Sequence, residues 1–196
     1  MKTKNSTLCN FLKLSGLGSF LFCGTLLAQT MTPLVTSQGV ASPAWRFVGF
    51  PKSKANIPPT IFEVAEVQGE KALKVSTQAS YGTWVHELPL VSAGQLEWRW
   101  RLEQGLTGGK VIPDILTKAG DDAALKVCVM FEHSLDNVPF VERTLLRVAR
   151  SVSGENLPAA TICYIWDGVH NAGLQGANPY TQRVRFITLQ GKGASM

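Results

Sequence analysis

Histidine and cysteine are scarce in this chain: of 196 residues, three are histidine and four are cysteine. His86, His133 and His170 fall in no H-E-x-x-H or close H-x-H arrangement, so a zinc site has no local support. No serine sits in a G-x-S-x-G elbow, which removes the hydrolase signature built on a strand-to-helix turn. The sequence TGGK at 107–110 lacks the spacing and the strand–loop–helix setting of a phosphate loop. Dinucleotide and nucleoside triphosphate chemistry are therefore set aside. There are no internal repeats and no low-complexity tract, and the length suits one domain.

The N-terminus has its own chemistry. Lys2, Lys4 and Lys13 precede an uncharged apolar stretch, Leu14 to Ala28. That stretch is too short to span a bilayer and has the pattern of a secretory signal, residues 1–28, with Ala28 before the cleavage point. A lipid anchor on Cys23 and a retained N-terminal anchor are the alternatives, although Phe22 is bulky for the first. The chain is thus expected to be exported to the periplasm, meeting a membrane only through this segment if it is uncleaved. Without Lys2, Lys4 and Lys13 the formal charge of +5 falls to +2. No basic stripe interleaved with stacking aromatics remains, so nucleic acid is not an expected partner. Cys128 and Cys163 survive cleavage. Export permits a disulfide between them, and two buried free thiols are the alternative.

From residue 45 onward the pattern is mostly period two, after a lead-in or linker at 29–44. WRFVGF (45–50), IFEVAEV (61–67), KALKVST (71–77) and TWVHEL (83–88) read as strands, with Gln68-Gly69 turning the middle pair into a hairpin. In QLEWRWRLE (95–103), Leu96, Trp98, Trp100 and Leu102 share one face and Glu97, Arg99, Arg101 and Glu103 the other. The indoles are expected in the core, because each hides a large area. ALKVCVMF (124–131) is apolar on both faces and predicts a central strand. PFVERTLLRVARS (139–151) changes period: Val141, Leu145 and Val148 recur at helical spacing, with Pro139 at the start and Gly154 beyond the end. ATICYIWDG and RVRFITLQ predict two more strands, separated by a Gly/Asn-rich loop. The fold class is therefore all-β, a sandwich of jelly-roll type with one inserted amphipathic helix.

Carboxylates are the remaining source of chemistry. Asp121 and Asp122 stand together before an apolar strand. They suit a turn in which one Asp accepts a backbone N–H, an ion pair with Arg99 or Arg101, or a calcium site completed by backbone carbonyls. No EF-hand loop is present, and no other cofactor is expected. A glycan hydrolase needs two facing acids. Glu97 and Glu103 come nearest, with Glu132 and Asp167 also available, but two arginines lie between Glu97 and Glu103 and favour charge pairing. His170 follows Asp167 in a loop and could join a site. The residues singled out are Arg99, Arg101, Asp121, Asp122 and Asp167.

LEWRWRLE (96–103), GDDAALKVCVMF (120–131), LLRVARSVSGENLPAATICYIW (145–166) and NPYTQRVRFI (178–187) occur in an order that resembles the domain of unknown function 3047 family, exported bacterial proteins. The resemblance runs from about Trp45 to the C-terminus. It implies fold and location and no reaction. Gln182 stands where the family typically has an acidic residue, while the basic character near Lys126 is kept. The family pattern continues past the last strand, so residues 45–196 are expected to lack its closing strands. The combined expectation is a non-catalytic envelope or ligand-binding module, with a glycan or envelope component as partner. A carboxylate-dependent glycan hydrolase and a calcium-stabilised structural protein are the alternatives.

Overall fold

A computed structural model describes residues 31–51, 56–89, 94–106 and 112–191. The leader expected at 1–28 and the TGGK loop lie outside these residues. Among these residues the protein is mainly β with a single α-helix. The strands are β1 (Trp45–Val48), β2 (Ile61–Val67), β3 (Glu70–Ser76), β4 (Thr83–His86), β5 (Lys126–Phe131), β6 (Ala160–Trp166), β7 (Gln175–Asn178) and β8 (Thr181–Gln190); α1 is Phe140–Ser153. Among the described residues they form two two-stranded ladders, β1–β4 and β2–β3, and a four-stranded sheet in the order β5-β6-β8-β7.

The β2–β3 hairpin follows from its turn. Gln68 and Gly69 both take positive φ, 54° and 79°, as a two-residue turn that matches strand twist requires. Register then sets Glu63 opposite Lys74 and Glu66 opposite Lys71, so the glutamates that interrupt the apolar alternation face opposite charge. Phe62 on this hairpin stacks on Trp84 of β4 at 5.3 Å and meets Phe47 of β1 edge-on at 6.0 Å. These rings join the two ladders.

Residues 32–44, in the stretch read as a lead-in or linker, make turns and backbone contacts ahead of β1. Thr36 and Gly39 close a turn, Ser42 donates to the Leu34 carbonyl, and the Trp45 indole N–H donates to the Thr32 carbonyl. Arg46 of β1 binds both oxygens of Glu155, at 3.0 and 2.8 Å, and also Glu87 at 3.1 Å. Hydrogen bonding to Arg46 holds the Glu155 carboxyl below its usual range. A carboxylate with a depressed folded-state pKa stabilises the fold above its unfolded pKa and loses that contribution as pH falls through the folded value. Glu155→Gln should therefore cost at most about 1 kcal/mol at neutral pH, since the pair is partly exposed. Urea melts at descending pH should show wild type and variant converging in acid.

The core lies in the four-stranded sheet: Ile115, Cys163, Ile165 and Phe186 are buried together, with Ala123, Cys128 and Val184 packed against them. Cys128 and Cys163 are direct cross-strand partners on β5 and β6, and their sulfurs are bonded. Two expectations need correction. β5 is an edge strand of this sheet, and β6 and β8 are its central strands. An apolar pattern on both faces did not separate these cases, and Met130 and Phe131 are in fact exposed. Residues 97–103 keep the expected alternation, with Trp98, Trp100 and Leu102 half-buried and Glu97, Arg99, Arg101 and Glu103 exposed, whereas Leu96, expected on the inward face, is exposed, and residues 95–103 join none of the ladders. Aromatic packing holds them instead. Trp98 lies 5.3 Å from Tyr164, and Trp100 lies 6.0 Å from Trp166, so consecutive indoles meet consecutive same-face rings of β6.

The helix begins after Pro139 and ends at Gly154, whose left-handed φ of 70° closes the last turn onto the Arg150 carbonyl. No helix among the described residues is long and apolar enough to cross a membrane. The Gly/Asn-rich stretch expected as loop contains β7, which pairs antiparallel with β8.

Candidate functional site

The loop between β6 and β7 starts at Asp167, whose backbone N–H donates to the Gln190 carbonyl at the end of β8. The Asp167 carboxylate is buried, with 1% of its side chain exposed. One oxygen accepts the Val169 N–H at 2.8 Å, and the other lies 2.7 Å from His170 Nδ1. An ionised carboxylate only accepts, so Nδ1 carries the proton. His170 Nε2 faces Asp114 Oδ1 at 3.5 Å. One imidazole thus stands between two carboxylates.

Both flanks of this cluster are fixed by backbone. Asp114 Oδ1 accepts the Leu116 N–H at 2.9 Å, and its carbonyl accepts from the Thr117 N–H and hydroxyl. Gly120 closes the turn against the Asp114 backbone so tightly that a Cβ there would meet three Asp114 backbone atoms at under 3.0 Å. On the other side, Thr188, which is buried, donates to the Asn171 carbonyl and accepts from the Leu174 N–H. Gly191 lies against the backbone of 170–172 with no room for a side chain. Val169, His170, Asn171, Ala172 and Leu174 line an open depression of about 530 Å³. Its lining residues are a histidine, an asparagine and three aliphatic residues.

The two adjacent aspartates serve elsewhere. Asn178 Nδ2 donates to both Asp121 oxygens at 2.8 Å, while Asn178 Oδ1 accepts the Tyr180 N–H at 2.9 Å. The Tyr180 hydroxyl donates to the Lys118 carbonyl, and the Lys118 ammonium lies 5.6 Å from the centre of the exposed Tyr180 ring. Asp121 therefore clasps the loop before β5 to the β7–β8 turn. Asp122 is exposed and takes no part in the clasp. The ion pairs expected with Arg99 or Arg101 are replaced: Arg99 pairs with Glu70 and Arg101 with Glu103. Among the described residues, no group of three or more His, Cys, Asp or Glu is arranged to hold a metal ion.

Of the residues singled out from sequence, only Asp167 belongs to the imidazole cluster, where it is joined by His170. Asp114 was missed. The signal available for it was the D-x-x-T spacing of Asp114 and Thr117, a side chain–backbone turn pattern. Asn178 carried no signal short of knowing that β7 is a strand.

A family model described as "Protein of unknown function (DUF3047)" matches residues 43–196. No curated protein and no solved structure matches the chain.

Proposed function

Because the chain belongs to this family of proteins of unknown function, we propose from its own geometry that it is a non-catalytic, exported binding module whose ligand is a glycan of the cell envelope. One observation carries the reading: His170, held by the buried Asp167, is among the residues lining an open depression, together with Asn171 and the aliphatic Val169, Ala172 and Leu174. Fixed hydrogen-bonding groups beside apolar surface suit a sugar ring, which offers hydroxyls at its edge and C–H groups on its face. The leader pattern and the bond between Cys128 and Cys163 support an oxidising compartment such as the periplasm. The scaffold of this reading is a sandwich. A strict jelly roll is less well supported, because β6 and β8 run parallel.

Binding is favoured over hydrolysis for a steric reason. Asp114 and Asp167 flank one imidazole, which fills the gap a glycosidic bond would need, and Asp167 is closed to solvent. A calcium-stabilised structural role for Asp121 and Asp122 is weaker still, given the Asn178 amide on Asp121. The test titrates the full chain with soluble peptidoglycan fragments. We expect saturable binding, weakened at least tenfold, or about 1.4 kcal/mol, by His170→Gln, a change that keeps a donor for Asp167. Absence of binding, or equal binding by the variant, would remove the site. New reducing ends in the mixture would replace the binding reading with hydrolysis.

A further inference from the structure

The two carboxylates beside His170 are not equivalent. Asp167 is closed to solvent and both its oxygens are engaged, one by the Val169 N–H and the other by His170 Nδ1 at 2.7 Å. Asp114 is more open, with 40% of its side chain exposed, and its Oδ1 lies 3.5 Å from Nε2. With the ring proton on Nδ1, Nε2 carries a lone pair, so two acceptors face each other across that gap. The gap is also wider than the about 2.7–3.2 Å of an N–H···O hydrogen bond.

A bridging cation resolves the mismatch. Zinc holds an imidazole nitrogen at about 2.0–2.1 Å and a carboxylate oxygen at about 2.0–2.2 Å. Two such ligands 3.5 Å apart subtend about 115° at the metal, close to the tetrahedral angle. A carboxylate on the other ring N–H is the usual support of a metal-binding histidine, fixing its tautomer and orientation. A nitrogen and oxygen pair suits zinc, copper or nickel better than magnesium or calcium, which take oxygen ligands. Asp114 is held in place, since Oδ1 also accepts the Leu116 N–H and Gly120 packs against its backbone. Among the described residues no third His, Cys, Asp or Glu completes a set of ligands. His170 lines the open depression, which leaves the remaining positions to water or to the oxygens of a ligand.

We propose that His170 Nε2 and Asp114 Oδ1 bind a divalent cation of the zinc type, with Asp167 holding the ring in position. Two protein ligands hold a metal less tightly than the three or four of catalytic and structural zinc sites, so binding is reversible. The proposal shares His170 with the glycan reading but does not rest on it, and its test uses no glycan.

Titration calorimetry of the full chain with zinc chloride, after EDTA treatment and dialysis, tests this. Saturable binding is expected. His170→Gln and Asp114→Asn, which remove the imidazole and the carboxylate, should each weaken it at least tenfold. Asp167→Asn keeps both ligands and should also weaken it about tenfold or more, because it frees the ring proton to move to Nε2. In the wild type, zinc should shift the His170 Nε2 resonance while Nδ1 keeps its proton, a readout that needs no variant to fold. A wild type that binds no zinc overturns the proposal. So does zinc binding that leaves the His170 ring unmoved or survives the substitutions, which would place the metal elsewhere, such as on Cys9 and Cys23. Peptidoglycan-fragment titrations run in EDTA read the glycan proposal alone, so either can fail without the other.

Discussion

Breaking the Cys128–Cys163 bond should lower the melting temperature of the protein by roughly 10 °C. The bond closes a loop across a sequence separation of 35 residues, which holds α1 and the turn before it. Loop-closure entropy for that length is worth about 3–4 kcal/mol, and in a chain of this size each kcal/mol shifts the midpoint by roughly 2–4 °C. Both strands stay paired without the bond, so cooperative unfolding should persist at the lower midpoint. Melts with and without reductant, beside a Cys128→Ala/Cys163→Ala double variant, check this. The double variant, with or without reductant, and the reduced wild type should agree closely. Cys163→Ser should be worse than Cys163→Ala, because Cys163 is 3% exposed in the core and a hydroxyl there lacks a partner. A midpoint indifferent to reductant would mean that the thiols are free, and would withdraw the support the bond lends to an oxidising compartment.

The second large effect concerns Asp167. Asp167→Ala removes the acceptor of the Val169 N–H and of His170 Nδ1 together, leaving donors unpaired in a buried site. A loss of about 2–4 kcal/mol is expected, with faster amide exchange across 167–174. Asp167→Asn discriminates more finely. Its Oδ1 can still accept from Val169, but if its amide N–H₂ faces Nδ1, that nitrogen must become an acceptor. The proton then moves to Nε2, toward Asp114. Nitrogen chemical shifts of the His170 ring should report this exchange of tautomers, and peptidoglycan-fragment binding should fall even where the melt is little changed. An Asp167→Asn ring with its proton still on Nδ1 would show that Asp167 does not set the imidazole.

The parts of the fold that were legible from sequence are those in which local pattern and final environment agree. Gln68-Gly69 turns where its backbone angles allow few other conformations, and α1 stops at Gly154 for the same kind of reason. The alternation of Trp98 and Trp100 gave the side that packs, but the indoles are half-buried rather than in the core, since periodicity reports only which side faces inward. It cannot say whether the backbone finds a partner, and here packing on Tyr164 and Trp166 serves in place of a ladder. β7 was hidden because Gly176 and Asn178 are poor strand formers. A Cβ at Gly176 would make the tip of the Leu116 side chain move aside. The adjacent aspartates drew attention as a charge motif, but their meaning depended on Asn178, which lies on that hidden strand. Asp167 and His170 are close in sequence and were both noticed. Asp114 comes from a separate loop, and only tertiary structure brings it to the same ring.

The parallel pairing of β6 with β8 sets an order of assembly. β7 and β8 are joined by a two-residue turn, Pro179-Tyr180, between the paired Asn178 and Thr181, so that hairpin can close from contacts near in sequence. Pairing β8 with β6 has to span the whole of 167–180 and carries the larger loop-closure cost. The hairpin is therefore expected to dock on β6 as a preformed unit. The bonds from Asp167 to Gln190 and from Thr188 to Asn171, together with the seat of Gly191 behind His170, come into being only at docking. A chain emerging from the ribosome would hold every residue of the imidazole cluster outside the tunnel and still lack the cluster, until Gly191 cleared the exit and β8 zipped into place.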